Sequence, residues 1–298
     1  MEDTSTDTVK DIKSMRVAIA SGKGGTGKTF LSTNLFFALQ QQGLSPVLVD
    51  CDAEEPNTHL FFDSKPVHVS NVVMHVPEID ASTCSFCGKC HEYCNYNAIF
   101  ILPPAKIIRV LEELCHDCGA CVFACNDGAI SEKPIIIGTV ERRKPTKNSA
   151  LVIARMDVGV HSPVKVIQAG IRETTNEQLV IFDAPPGTSC PFIHTIANVD
   201  FVILVTEPTP FGLSDLLQSI SVLESMKKPF GVVINRCDLG DSKVYDYLGK
   251  KSIPLLMEIP FRKSYASAYA AGQLVAQKDK QLMHGLVKMF DSIISALL

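Results

Sequence analysis

The chain has 298 residues, 46% of them hydrophobic, and a net charge of -4. A chain this long can bury a substantial core in one large or two smaller domains, and without a large basic block nucleic acid is not the expected partner. No run of about 18 apolar residues is present and Met1 to Ser14 is polar, so neither a membrane span nor a signal peptide is expected, and a cytoplasmic location is.

Residues 1–14 read as a flexible tail. Arg16 to Ala20 is an apolar strand, Phe30 to Gln42 a helix stopped by Gly43, and between them lies Ser21-Gly22-Lys23-Gly24-Gly25-Thr26-Gly27-Lys28-Thr29. This is G-x4-G-K-[ST] in its required strand, loop and helix context. Its glycines turn backbone N–H groups inward on phosphates. The helix start adds positive charge, Lys28 reaches the outer phosphates, and the Thr29 hydroxyl serves magnesium. A second strand, Pro46 to Asp52, brings Asp50 and Asp52 to the same edge, because strand, helix, strand opens a parallel sheet with its ligands at the carboxyl ends.

From about Pro66 to 160 the rhythm of helix and strand breaks, which reads as an insert (66–160) between two halves (15–65 and 161–298) of one α/β domain. Eight of the eleven cysteines lie here, from Cys84 to Cys125, and in a reducing compartment such clustering argues for metal. Adding 31 to Cys84, Cys87, Gly88, Cys90, Cys94, Asn95, Ala98 and Ile99 gives Cys115, Cys118, Gly119, Cys121, Cys125, Asn126, Ala129 and Ile130. Residues 78–133 therefore hold a duplicated metal-binding unit. They also carry eight Asp/Glu against four Lys/Arg, the whole excess of acid. Phe100 to Leu114 has room for a turn and a short strand or helix. Residues 134–160 read as a β-rich return flank, with runs at 135–137 and 151–153 joined by a basic polar linker, 141–148.

The alternation resumes with a helix at 163–172 and the strand Leu179 to Asp183, followed by Ala184-Pro185-Pro186-Gly187. An apolar strand ending in Asp has the form of a Walker B element, with Asp183 expected to hold magnesium through water and the Pro-Gly turn able to report on a γ-phosphate. Strands at 201–206, 231–235 and 255–259 alternate with helices at 213–226 and 243–248. The last helix, 282–298, is amphipathic but has Lys288 as its one permanent cation, which favours core packing over a membrane surface.

The form K-G-G-T-G-K-T, with Lys23 directly after the first glycine, resembles the deviant Walker A loop of the MinD/ParA/nitrogenase-reductase class of P-loop ATPases. The resemblance implies an ATP-sandwiched homodimer in which Lys23 reaches the partner's nucleotide. It also implies that Asp50 and Asp52 form the switch I pair, with Asp52 orienting the attacking water, and that Asn235 contacts adenine. ATP, magnesium and slow, partner-stimulated hydrolysis follow as expectations. The cysteine spacing C-x2-C-x2-C-x3-C, twice, resembles bacterial ferredoxins, in which the fourth cysteine serves the other cluster. This implies one 4Fe-4S cluster on Cys84, Cys87, Cys90 and Cys125, and a second on Cys115, Cys118, Cys121 and Cys94. Asn95 and Asn126 depart from the pattern, standing where ferredoxins have proline.

Together these features resemble MinD-superfamily ATPases carrying an inserted dicluster ferredoxin domain, an α/β, mostly parallel fold with an α+β insert. Three functions follow as expectations. In the first, ATP-dependent dimerisation gates electron transfer from the clusters to a redox or metal-cluster partner. The others are an ATPase that assembles or carries iron-sulfur clusters, and a positioning ATPase.

Overall fold

The computed structural model describes residues 14–297, so the tail expected at 1–14 lies outside the described residues except for Ser14. The chain begins with β1 (Met15–Ala20), α1 (Lys28–Gln41) and β2 (Pro46–Asp50), followed by the long strand β3 (Pro66–Ile79). Short elements come next: α2 (Lys89–Glu92), β4 (Ile99–Leu102), β5 (Ile107–Val110) and α3 (Ala120–Ala124). The chain returns through β6 (Ile130–Thr146) and β7 (Ser149–Met156) to α4 (Val164–Arg172), β8 (Leu179–Asp183) and α5 (Cys190–Ile196). It finishes with β9 (Phe201–Thr206), α6 (Pro210–Ser225), β10 (Phe230–Asn235), α7 (Lys243–Lys251), β11 (Leu255–Ile259), α8 (Lys263–Ala270) and α9 (Lys280–Leu297).

One nine-stranded sheet runs in the order β11-β10-β9-β1-β8-β2-β7-β6-β3. It is parallel from β11 to β7 and antiparallel across β7-β6 and β6-β3. The parallel strands are apolar runs rather than alternating ones because helices cover both faces. On one face Val166 and Ile167 of α4, Phe192 of α5, Leu216 of α6 and Val244 of α7 meet Ala18, Val49 and Val180. On the other, Leu35 and Phe36 of α1 and Leu286 and Phe290 of α9 meet Val17, Ile19 and Ile181. The apolar stripe of α9 is thus buried in the core. Among the described residues no helix is long and apolar enough to cross a membrane.

The stretch expected as a polar linker, 141–148, is strand up to Thr146, with only Lys147 and Asn148 turning the chain into β7. The basic residues tolerate extension because they find partners: Arg142 pairs with Glu177, and Arg143 binds Glu141 and the Ser64 carbonyl. β3 and β6 pair from Pro66/Arg143 to Ile79/Ile130, forming a ribbon that leaves the main sheet edge. At its tip sit residues 80–129.

The 31-residue repeat of the sequence is also a repeat of structure. Ile79 pairs with Ile130 in the ribbon, and Val110 pairs with Ile99 in the small β4-β5 sheet, which is the same pair with each half exchanged for its counterpart. Positive φ recurs at the same offset: Phe86 and Asp117 at 57° and 54°, Gly88 and Gly119 at 83° and 70°, Asn97 and Gly128 at 54° and 65°. The core of this unit is small, with Cys90, Ile99 and Ile130 buried and Cys121 and Cys125 packed against them.

Candidate functional site

β1 is central, with β8 on one side and β9 on the other, so its carboxyl end is the topological switch point where an open α/β sheet binds its ligand. The loop leaving β1 passes Gly27 at φ 101°, a left-handed conformation, and a Cβ there would lie 2.4 Å from Asn235 Nδ2. Glycine is required at this position twice over, by backbone and by space. α1 then starts with no side-chain cap, leaving its first N–H groups for an anion.

Lys28 is buried and donates to Ser21 Oγ at 3.1 Å. Burial lowers its pKa, while Asp183 and Asp52 draw it back up. The Thr29 hydroxyl donates to Asp183 Oδ2 at 2.7 Å, and the other oxygen, Asp183 Oδ1, is buried without a partner. Burial, with the Asp50 charge beside it, holds the Asp183 carboxyl well above the usual carboxylate range. A buried carboxylate with one oxygen lacking a donor and the other against the Thr29 hydroxyl suits a hydrated divalent cation.

Asp50 and Asp52 part company. Asp50 is buried and spends Oδ2 on the backbone N–H groups of Asn57 and Thr58, both 2.9 Å away, and Oδ1 on the N–H of Asp52 at 3.2 Å. It folds the loop after β2 and does not line the nucleotide cleft. Asp52 does line it. Burial raises its carboxyl, the Lys28 ammonium opposes the rise, and Glu54 adds to it.

Asp52 shares a cleft of about 440 Å³ with Gly24, Gly25, Gly27, Lys28, Thr29 and Pro186. Its far wall is Asn235, Arg236, Pro260, Phe261, Tyr265 and Tyr269. Asn235 is therefore in the cleft, but its amide nitrogen donates to the Thr26 carbonyl at 2.8 Å and its oxygen accepts from the Arg236 N–H at 3.0 Å. It clasps the phosphate loop. Gly22 lets that loop touch α6, since a Cβ would lie 2.4 Å from the Asp215 carbonyl oxygen. Lys23 lies 3.7 Å from Glu207, which also binds Arg236 at 2.6 Å. Glu207, Phe261, Tyr265 and Tyr269 were not among the residues expected from sequence. Glu207 and Phe261 lie in loops that follow late strands and the two tyrosines in α8, and no local spacing marks them.

The cysteines form a second candidate site at the ribbon's tip. Cys94, Cys115, Cys118 and Cys121 line one narrow pocket of about 20 Å³, together with His75, Tyr96, His116 and Glu132. Cys94 comes from the first repeat and the other three from the second. Backbone N–H groups point at sulfur: Phe86 to Cys84 Sγ at 3.4 Å, Asp117 to Cys115 Sγ at 3.5 Å and Ala98 to Cys94 Sγ at 3.3 Å. Burial raises the Cys90 thiol, with Cys84 and Cys87 close enough to add to the rise. Burial likewise pushes Cys121 up to about 11, with Cys115 and Cys118 adding. Cys87 and Cys118 are exposed. Cys190, at the start of α5, is exposed. Among the described residues no three His, Cys, Asp or Glu side chains gather closely enough to hold a single metal ion.

A family model described as the CobQ/CobB/MinD/ParA nucleotide binding domain matches residues 17–275. The uncharacterized protein MJ0579 of Methanocaldococcus jannaschii is 31% identical over 266 residues, covering 87% of this chain and 90% of its own. A protein of Pyrococcus horikoshii named iron-sulfur cluster carrier protein is 22% identical over 74% of this chain and 60% of its own. In structure, the septum site-determining protein MinD of Pyrococcus horikoshii, solved with Mg-ADP, superposes with a TM-score of 0.58 at 17% identity, covering 94% of this chain and 96% of that one. The phosphate loop at the end of β1, the Asp183 carboxylate beside Thr29 and the match over residues 17–275 agree: this chain belongs to the CobQ/CobB/MinD/ParA nucleotide-binding family.

Proposed function

We propose that the chain binds Mg-ATP in the cleft at the end of β1, hydrolyses it slowly, and couples that cycle to two 4Fe-4S clusters held by the cysteine sets. The observation that carries the nucleotide half is the unpartnered Asp183 Oδ1, buried beside the Thr29 hydroxyl. Thr29 and, through water, Asp183 would hold magnesium, which when bound neutralises charge on the β- and γ-phosphate oxygens. Lys28 and the uncapped N–H groups of α1 hold the phosphates. Asp52, facing the cleft, orients the attacking water by accepting its hydrogen bond, and positioning of this kind is most of what phosphoryl transfer asks of a protein.

Lys23 is held by Glu207 within one chain. Its release to a second chain's nucleotide is the proposed dimer contact, made only when ATP occupies the cleft.

For the cysteines, each iron of a 4Fe-4S cube takes its own thiolate, so four thiols spread round a cavity fit the cube better than a single ion. Cys94, Cys115, Cys118 and Cys121, which line one pocket, would hold one cluster. Cys84, Cys87, Cys90 and Cys125 would hold the other cluster by the same repeat. A cluster supplies a one-electron store whose potential is set in part by N–H bonds to sulfur. The favoured reading is that ATP-dependent dimerisation gates electron delivery to a redox or metal-cluster partner.

A second reading is supported by the exposure of Cys87 and Cys118 and by the name of the Pyrococcus relative: the clusters are cargo passed to an acceptor protein. Anaerobic purification with iron and sulfide analysis, ATP turnover and mass measurement with ATP tests both. Eight irons per chain, reversible reduction and an ATP-dependent dimer support the electron-transfer reading. Loss of iron to an apo-acceptor, with no reversible reduction, supports the carrier. No iron and no turnover overturn both.

A further inference from the structure

The two cysteine loops have the same backbone but not the same connections. In each, the second residue after the first cysteine has positive φ and donates its N–H to that cysteine's sulfur: Phe86 in the first loop, Asp117 in the second. Phe86 offers no charge at that place. Asp117, mostly buried, forms an ion pair with Lys165 of α4 and lies 4.0 Å from His75 Nδ1. Among the described residues this pair is the only hydrogen bond or ion pair joining residues 80–129 to the nucleotide-binding half other than through β3 and β6.

α4 is also connected to the cleft, through α5. Gln168, one turn on from Lys165, meets His194 of α5 at 3.2 Å, and α4 and α5 pack together. α5 begins three residues after Gly187, in the loop where Pro186 lines the cleft. That loop is itself anchored to the phosphate loop, since the Gly187 N–H donates to the Ser21 carbonyl at 3.1 Å. Residues three apart on a helix share a face, so one rigid segment, 165–168, contacts both the element that follows the cleft and the Cys115–Cys118 loop.

We infer that α4 couples the occupancy of the cleft to the Cys94, Cys115, Cys118 and Cys121 set through the Lys165–Asp117 pair, and that the Cys84, Cys87, Cys90 and Cys125 set is not coupled. This rests on the reading that both sets carry clusters and that the cleft binds nucleotide. A displacement of α5 on nucleotide binding moves α4 against the Asp117 carboxylate. The N–H that Asp117 directs at Cys115 Sγ moves with it. The coupling is reciprocal: whatever factor nucleotide applies to reduction of that cluster, reduction applies to nucleotide affinity.

The test is a dithionite titration of cluster-loaded protein followed by electron paramagnetic resonance, with ADP and with a non-hydrolysable ATP analogue. The two couples are assigned with Cys87→Ser and Cys118→Ser proteins. The expected result is a shift of the second couple alone, with a matching change in nucleotide affinity on reduction. A fivefold change corresponds to about 40 mV, from 59 mV per tenfold for one electron. Lys165→Met and Asp117→Asn abolish the shift, Lys165→Arg keeps it, and hydrogen exchange at 115–119 but not 84–88 responds to nucleotide in the wild type alone.

Iron content and nucleotide affinity measured on the same samples separate the possible failures. A shift that survives Lys165→Met in iron-replete, nucleotide-binding protein, or one shared equally by both couples, overturns the coupling only. Protein without iron-sulfur signals or nucleotide binding overturns the reading beneath it and the coupling with it.

Discussion

The nucleotide cleft and the cysteine unit reach their geometry by opposite routes. The cleft draws Lys28, Asp52, Pro186 and Asn235 from four different places in the chain, and a thick two-sided core holds them in position. The cysteine unit draws its eight thiols from residues 84–125 and has only a small core to hold them, Cys90, Ile99 and Ile130 with the alanines Ala98, Ala124 and Ala129. A site assembled from distant residues must be built by the fold, whereas a site assembled from neighbouring residues can be built by its metal.

The sharpest way to break this contrast is to remove the metal. Chelation of the loaded protein is expected to leave residues 80–129 exchanging amide hydrogens almost freely, while β1, β8 and β9 stay protected to near the global limit. Uniform protection after iron loss would show that the unit's own core suffices. Raised thiol pKa values at Cys90, Cys115 and Cys121 add that loading releases protons, so iron uptake should weaken as pH falls.

Within the cleft, Asp52→Ala is expected to retain ATP binding and lower turnover by roughly 10²–10⁴-fold. A single-turnover assay with labelled ATP reads this, and an unchanged rate would remove Asp52 from its role. Gly27→Ala forces a side chain into a left-handed position against Asn235 and should cost about 1–3 kcal/mol in thermal or denaturant unfolding, with loss of nucleotide binding.

A smaller effect separates the two sites by pH. Because the folded-state pKa values of Asp183 and Asp50 are raised, mainly by burial, the native state binds more protons than the unfolded chain from about pH 4 upward. Stability of metal-free protein therefore falls as pH rises from about 4 toward neutrality. Asp183→Asn should flatten that slope and raise the neutral-pH melting temperature, while Mg-ATP, which binds the charged form, should offset the loss in the wild type. Least of all, Glu207→Ala should change stability by about 0.5 kcal/mol, since its partners Lys23 and Arg236 are partly exposed, yet favour the ATP-dependent dimer by freeing Lys23. Analytical ultracentrifugation with ATP checks the second part.

What could be read from sequence follows the same division. The phosphate loop and the cysteine repeat were legible because each is a local spacing whose residue types have few other uses. Asp183 was legible as the end of an apolar strand, and the structure sets it 2.7 Å from Thr29. Phe261, Tyr265 and Tyr269 were not, because they reach the cleft only after the sheet has assembled, and Glu207 meets Lys23 and Arg236 only then. Asp50 and Asp52 looked alike in sequence, yet one folds a loop and the other faces the cleft, a difference set by which backbone donors lie nearby. The strand through Arg142 and Arg143 was hidden because its charges suggest a solvated turn until Glu177, Glu141 and Ser64 are brought beside them. The contrast between Phe86 and Asp117 could be seen by aligning the repeats, but its meaning depends on Lys165, 48 residues away.

The paired ribbon of β3 and β6 also acts as a ruler. Each residue adds about 3.3 Å and turns its side chain to the opposite face. Deleting one cross-strand pair would therefore draw the tip inward by one such step and invert it. Deleting two pairs would draw it in by about 7 Å with the same face presented. The reach of the cysteine unit from the sheet is thus quantised, and chains sharing this architecture can lengthen or shorten it only in steps of two pairs without turning the unit over.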